Sequence, residues 1–205
     1  GIVASRSRTR ELLVVAQVAL TLVLLVASAL FLRALDRARA VELGFRVEGV
    51  YTADMDLEPT GYDSAKQQQV ANAIAAAVRA SPGIDSASHA RMVPLSGSTM
   101  VLGALGDESL PEPVRYAAAN VVSADYFRTL DLRVTGEQFG DAHTRASDKV
   151  VIVNELLAQS LFGAESVIGR SVKFDGVEGG QLRIIGVAAK SRYTNLGEDA
   201  RPFMY

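Results

Sequence analysis

The sequence predicts an α+β protein carried on a membrane helix. Three observations lead there. Residues 12–32, LLVVAQVALTLVLLVASALFL, form an uncharged run of 21 residues. Beyond it, helix-period segments with N-cap residues are interspersed with β-branched segments bounded by Gly and Pro. No repeat or low-complexity stretch interrupts that mixture.

The apolar run is long enough to span. At a rise of ~1.5 Å per residue it reaches about 31 Å, the thickness of a bilayer's hydrocarbon core. Leu12 and Leu32 mark its ends, and Gln17, Thr21 and Ser28 are its only polar residues. Each of these can bond its own backbone or a neighbouring helix, where such a contact contributes ~1 kcal/mol or less. A cleaved signal sequence is the competing reading. Arg6, Arg8 and Arg10 resemble a basic n-region, and Ala27-Ser28-Ala29 fits a cleavage site. Against it, Leu30, Phe31 and Leu32 carry the run past that site with no polar c-region, so the run reads as a span. Arg33, Arg37 and Arg39 balance the three preceding arginines, which leaves the positive-inside rule nearly silent.

After the span, RALDRARAVEL (33–43) lacks Pro and Gly and should continue as a helical stalk, with Leu35, Ala38 and Val41 in a weak stripe and Gly44 as its stop. VEGVYTADMDL (47–57) alternates like a strand. Asp63 or Ser64 caps a helix over 64–80 with Val70, Ile74, Ala77 and Val78 on one face. A second strand is expected over 84–95, making a β-α-β unit or a split form of it. Further strands are expected over 100–106, 114–122, 149–154, 168–176 and 181–190, and 132–139 reads as irregular or a short strand. A helical turn capped by Ser123 or Asp125 carries Tyr126 and Phe127, and a helix covers 155–163. The glycines of VEGGQ (177–181) mark a hairpin turn.

Charge divides along the chain. Residues 1–49 hold 7 Arg against 4 acids, a net of +3, and the remainder holds 14 basic against 19 acidic residues, a net of −5. An acidic domain lacks the clustered Lys and Arg that phosphate contacts need, so no nucleic-acid partner is expected. The basic flanks of the span suit membrane lipid headgroups. With no cysteine, disulfides, thiolate catalysis and Cys–zinc sites are excluded.

No catalytic constellation emerges, and no catalytic, cofactor or metal residue is assigned. His89 and His143 stand apart without a motif. PLSGS (94–98) departs from the G-x-S-x-G elbow at both glycines. DMDLE (54–58) would put Asp54, Asp56 and Glu58 on one strand face, but Pro59 and Ala65 occupy the positions where an EF-hand needs its glycine and its bidentate acid, so a solvated face is the better reading. No P-loop motif is present. Tyr126 and Phe127 are the candidate partner contact, set against the alternative that the pair tucks into the core.

Taken in order, LLVVAQVALTLVLLVASALFLRAL, GFRVEGVYTADMDL, SPGIDSASHARMVPLSG, VVSADYFRTLDLRVTGEQF, KVVIVNELLAQSLFG, IGRSVKF and IIGVAAKSRYTNLGEDARPFMY resemble a unit of MacB/FtsX-type ABC transporter permeases over residues 9–205, with the large duplicated permeases of soil bacteria as the nearest likeness. The resemblance implies a cytoplasmic basic flank (1–11), a transmembrane helix (12–32), a helical stalk (33–44) and a two-lobed extracytoplasmic core domain at the bacterial inner membrane. One βαβ-rich lobe would comprise 45–121 and 182–205, with a second lobe inserted at 122–181. It also implies an ABC ATPase on a separate chain or domain, a second permease unit, and a periplasmic adaptor or substrate. ATP-driven motion would pass through the stalk, with no cofactor and no catalysis in the domain itself. A single-span sensory or ligand-binding module is the alternative that shares the anchor and the α+β domain. A membrane-anchored hydrolase lacks its constellation.

Overall fold

The uncharged run lies inside one long helix, α1, Ile2–Arg39. The computed structural model describes residues 2–39, 42–96, 100–106, 114–140, 143, 149–163, 166–174, 181–195, 197 and 199–205. The chain divides into two compact units, Gly1–Glu42 and Leu43–Tyr205. In the first, α1 has neither Pro nor Gly to stop it, so it runs through the basic flank as well as the apolar stretch. Arg10–Arg37, 28 residues, is long and apolar enough to cross a membrane, and none of its most apolar window is buried within the protein. Thr21 Oγ1 donates to Val18 O (2.8 Å) and Ser28 Oγ to Leu24 O (2.7 Å), so both hydroxyls are satisfied by the helix itself.

The stalk is shorter than the sequence predicts. Leu35 and Ala38 lie in α1, Val41 falls outside the described residues, and residues 42–44 are not helical. Gly44 is no helix stop. Its φ is +83°, and a Cβ there would collide with Lys190 O, so glycine is required by a close approach of two backbones. Leu43 O accepts from Arg192 N at 2.9 Å in the same region.

The second unit is built on a seven-stranded sheet. Its strands are β1 (Met100–Gly106), β2 (Val114–Ala119), β3 (Val134–Gly136), β4 (Val150–Asn154), β5 (Ser171–Phe174), β6 (Gln181–Ala188) and β7 (Phe203–Met204), in the order β3-β6-β4-β7-β2-β1-β5. β6 is shared. On one edge it pairs with β5 through residues 181–183 and with β3 through 186–188, while β4 runs parallel on the other. The β5–β6 pairing closes the strand order on itself. Ile185 is the extra residue where the β4–β6 register shifts, a bulge that reverses the alternation beyond it, so that Leu182, Ile184 and Val187 face one core layer and Ile185 and Ala188 the other.

Alternation along the strands creates two apolar layers. On one face Ala117, Ala119, Val151, Val153 and Ile184 pack against Leu157, Leu161 and Phe162 of α4 (Glu155–Phe162). On the other, Ala118, Ile152, Ile185 and Phe203 meet Tyr126, Phe127 and Leu130 of α3 (Tyr126–Thr129) and its C-cap. β4 is buried from both sides, which is why VVIV reads as a continuous rather than an alternating strand.

Both expected helices form. Of the two cap candidates Asp63 and Ser64, Asp63 caps α2 (Ser64–Arg79) by accepting from Lys66 N, and Asn154, not named from sequence, caps α4 by accepting from Leu157 N. The expected strands at 47–57 and 84–95 do not form. Only an isolated bridge, Ala90↔Val122, appears there. β-Propensity describes a residue's fit to a paired surface, and these segments find no partner edge among the described residues. The strand at 114–122 stops at Ala119, that at 168–176 begins at Ser171 after a turn, and the glycines at 177–180 lie outside the described residues. The expected lobe boundaries at 121/122 and 181/182 match no break in the sheet. β1 from the first lobe pairs with β5 from the second, and β4 pairs with both β6 and β7.

Asn154 does more than cap. Its Oδ1 also accepts from Phe203 N (3.0 Å), and its Nδ2 donates to Arg201 O (2.7 Å), in a fully buried position. Asn154→Ala removes the cap and strands three backbone groups. It should lower unfolding stability by about 3 kcal/mol, read from the urea midpoint, whereas loss of an exposed cap alone costs ~1 kcal/mol.

Candidate functional site

The residues with most connections surround α3, where the chain enters the second unit. Arg46 N donates to Leu130 O (2.7 Å) and Arg46 Nη2 to Thr129 O (3.4 Å), while Phe45 and Val50 pack on the α3-side core. Asp125, just before α3, accepts from Arg128 (2.9 Å) and is ion-paired with Arg79 at the end of α2. Ser86 and Thr129 share a hydroxyl hydrogen bond of 2.7 Å. A helix of four residues thus receives three separate stretches of chain.

Behind it lies a buried polar network. Asn120, 3% exposed, accepts from Met92 N (3.1 Å) and donates to both Met92 O (2.7 Å) and the Tyr193 hydroxyl (2.5 Å). Its carboxamide therefore imitates a strand partner for Met92. The Tyr193 hydroxyl also bonds that of Tyr126, and Tyr193 O accepts from Leu95 N at 2.7 Å. Tyr205 contacts Ser191 Oγ at 3.4 Å. The rings interlock, with centroid distances of 4.1 Å for Tyr193–Phe203, 4.9 Å for Phe203–Tyr205 and 5.1 Å for Phe127–Tyr205.

Burial raises the pKa of all three phenols, because the charged form would lose water. The neighbouring Tyr193 raises Tyr126 further, whereas hydrogen bonds from Tyr126 and Asn120 partly offset the rise at Tyr193. These hydroxyls are neutral donors and acceptors near pH 7. They hold a joint together.

The sequence-predicted residues fall elsewhere. Tyr126 and Phe127 are 3% and 1% exposed, so neither can serve as a surface contact; they belong to the core. Gln17, Thr21 and Ser28 remain in α1, apart from the network. Asp54, Asp56 and Glu58 are exposed, Asp56 Oδ1 accepting from Glu58 N (3.0 Å) at a short 3₁₀ turn. No metal-binding group occurs among the described residues. His89 Nε2 lies 2.7 Å from Asn72 Oδ1, and burial lowers its pKa. His143 is 3.4 Å from Glu137. A shallow groove of about 360 Å³ beside α4, lined by Glu155, Gln159, Ser166, Ile168 and Val187, holds one carboxylate and no convergent set of reactive groups. Asn120, Tyr193 and Tyr205 escape sequence reasoning; the one available signal is a polar residue ending the small-residue strand VRYAAAN.

The match to known families is extensive. Residues 13–204 match the model of the MacB-like periplasmic core domain. No curated protein matches. Among solved structures, the periplasmic region of MacB from Actinobacillus actinomycetemcomitans is similar at 19% identity, with a TM-score of 0.44, over 65% of this chain and 61% of that one. The extracellular domain of the noncanonic ABC-type transporter YknZ from Gram-positive bacteria is similar at 20% identity, with a TM-score of 0.38, over 54% of this chain and 55% of that one. The chain thus spans less than two thirds of either.

Two measurements test the junction. Asn120→Ala leaves both Met92 backbone groups without their partner and should cost about 2 kcal/mol in chemical unfolding. The raised phenol pKa values make a second prediction. Folding holds these protons more tightly, so the stabilisation is complete below the ordinary tyrosine value of about 10 and is lost as pH rises above it. Stability should fall steeply above pH ~10, and less steeply in Tyr126→Phe.

Proposed function

We infer the function from family membership: this chain belongs to the family of MacB-like periplasmic core domains, which are parts of ABC transporter permeases. We propose that it couples nucleotide hydrolysis in the cytoplasm to movement outside the bilayer. The observation that carries this reading is a family match that runs without a break from the apolar helix through the whole sheet unit. In this reading α1 crosses the inner membrane through 12–32, with its basic flank cytoplasmic and residues 45–205 extracytoplasmic. The stalk, the part of α1 beyond residue 32, transmits motion as a rigid element. An ABC ATPase and a second permease unit are the required partners, and an adaptor or substrate is engaged outside.

The chemistry of the junction supports a mechanical role. A rigid-body switch needs interfaces that pack in discrete arrangements, not reactive side chains. Leu43–Arg46 is bonded to the α3 turn and to the 190–192 backbone, so displacement of those residues would bear on the α3-side layer of the core.

Two experiments test the proposal. For topology, the chain's lack of cysteine lets Gln159→Cys, on the exposed side of α4, be labelled uniquely. An impermeant maleimide should label it in intact spheroplasts; labelling only after lysis would place the domain inside. For coupling, α1 ends at Arg39, so a proline at 38 would trim only the last turn, whereas Leu35→Pro breaks the helix one turn earlier at a cost of ~3 kcal/mol. Spin labels at residue 159 of paired units should change separation when nucleotide is trapped. In Leu35→Pro that change should vanish while ATPase activity persists. A constant separation in the unmodified stalk would overturn the mechanism.

A further inference from the structure

The apolar run of α1 holds one polar side chain that its own helix does not satisfy. Thr21 and Ser28 each donate to a carbonyl one turn back in the same helix. The Gln17 carboxamide, five residues inside Leu12, makes no hydrogen bond among the described residues. At a rise of ~1.5 Å per residue it lies about 7.5 Å beyond the start of the run, where hydrocarbon offers neither donor nor acceptor.

The three polar residues share one face. At ~100° per residue, Gln17, Thr21 and Ser28 fall within about 40° of one another. They belong to a seam in which spacings of three and four alternate: Val14, Gln17, Thr21, Leu24, Ser28, Phe31. That alternation is the heptad pattern of two helices crossing at about +20°. The remaining circumference of 12–32 is Leu, Val and Ala alone. Opposite the seam, a shallow hollow lined by Leu22, Val23, Val26, Ala27 and Leu30 exposes no polar surface. Lipid chains suit that side, and a second helix suits the seam.

We propose that this seam pairs α1 with α1 of a second copy of the chain, the two Gln17 carboxamides exchanging hydrogen bonds across a two-fold axis. The inference rests on α1 crossing the membrane and requires nothing of ATP-driven motion. Two features select a copy over any other occupant. A carboxamide carries donor and acceptor together, so two of them facing across a dyad satisfy each other. Copies inserted with one topology also run parallel, which brings both Gln17 residues to the same depth and fixes the register of the pair. Thr21 and Ser28, already bonded within each helix, are small enough to let the two backbones approach.

The test uses the full-length protein in its own membrane, with single cysteines in a background where any other cysteine is replaced by serine, and reads disulfide-linked dimers after oxidation. Leu24→Cys and Phe31→Cys, in the seam, should join two copies. Val23→Cys and Leu30→Cys, on the far side of the helix, should not. Adding Gln17→Leu should lower the Leu24→Cys product about fivefold. Gln17→Asn, which keeps the carboxamide, should hold that product near its original level. An impermeant maleimide applied to the same membranes tests the span separately: its reaction with residue 24 would overturn the crossing of the membrane, and the pairing with it. With residue 24 shielded, three results would overturn the pairing alone: no dimer from the seam positions, equal dimers from both sides of the helix, or a product indifferent to Gln17→Leu.

Discussion

One buried carboxamide constrains much of this molecule. Asn120 sits at the end of β2 with its polar atoms cut off from water, and every one of them must find a partner or cost ~1–3 kcal/mol. It finds them on Met92 and Tyr193, two segments that share no strand pairing with it. That requirement pulls the loop before β1 and the loop before β7 onto the same point. Tyr126 then joins from α3, and the aromatic stack of Tyr193, Phe203 and Tyr205 closes over the hydroxyls. Asn154 plays the matching part on the opposite side, fixing 201–203 to the start of α4. Between them the two asparagines place β7, a strand of only two residues, in the middle of the sheet.

The arrangement attaches one segment to another: its carboxamides bond backbone groups, and Asp125 pairs with Arg128 and with Arg79, which ties α2 to α3. The contacts at Leu43, Gly44 and Arg46 make the first residues of the second unit part of its packed structure.

Much of the local structure was legible. The 21 uncharged residues demanded a long helix, because in a continuous run of Leu, Val and Ala nothing competes with helical hydrogen bonding once water is excluded. Asp63 announced its helix through a side chain that satisfies an orphan amide three residues on, a role that Asn154, not named from sequence, also plays before α4. KVVIVN revealed a central strand because burial on both faces removes alternation. The same reasoning failed at 47–57, where alternation was present and pairing was not, and at Gly44, whose glycine answers to Lys190 across nearly 150 residues of sequence instead of to the helix before it.

The sequence by itself determined the long apolar helix, the two shorter helices, most of the short strands and the α+β class, since each depends on residues within a few positions of one another. It also pointed to the family, through the order of segments that are individually weak. Only the tertiary structure decided that β5 and β3 share one edge of β6, that the C-terminal RPFMY becomes a strand between β2 and β4, and that Tyr126 and Phe127 turn inward. Edge sharing and burial depend on which surfaces meet across long stretches of chain. A hydrogen bond between Asn120 and Tyr193 leaves no periodicity, cap or turn signal in the residues around either one.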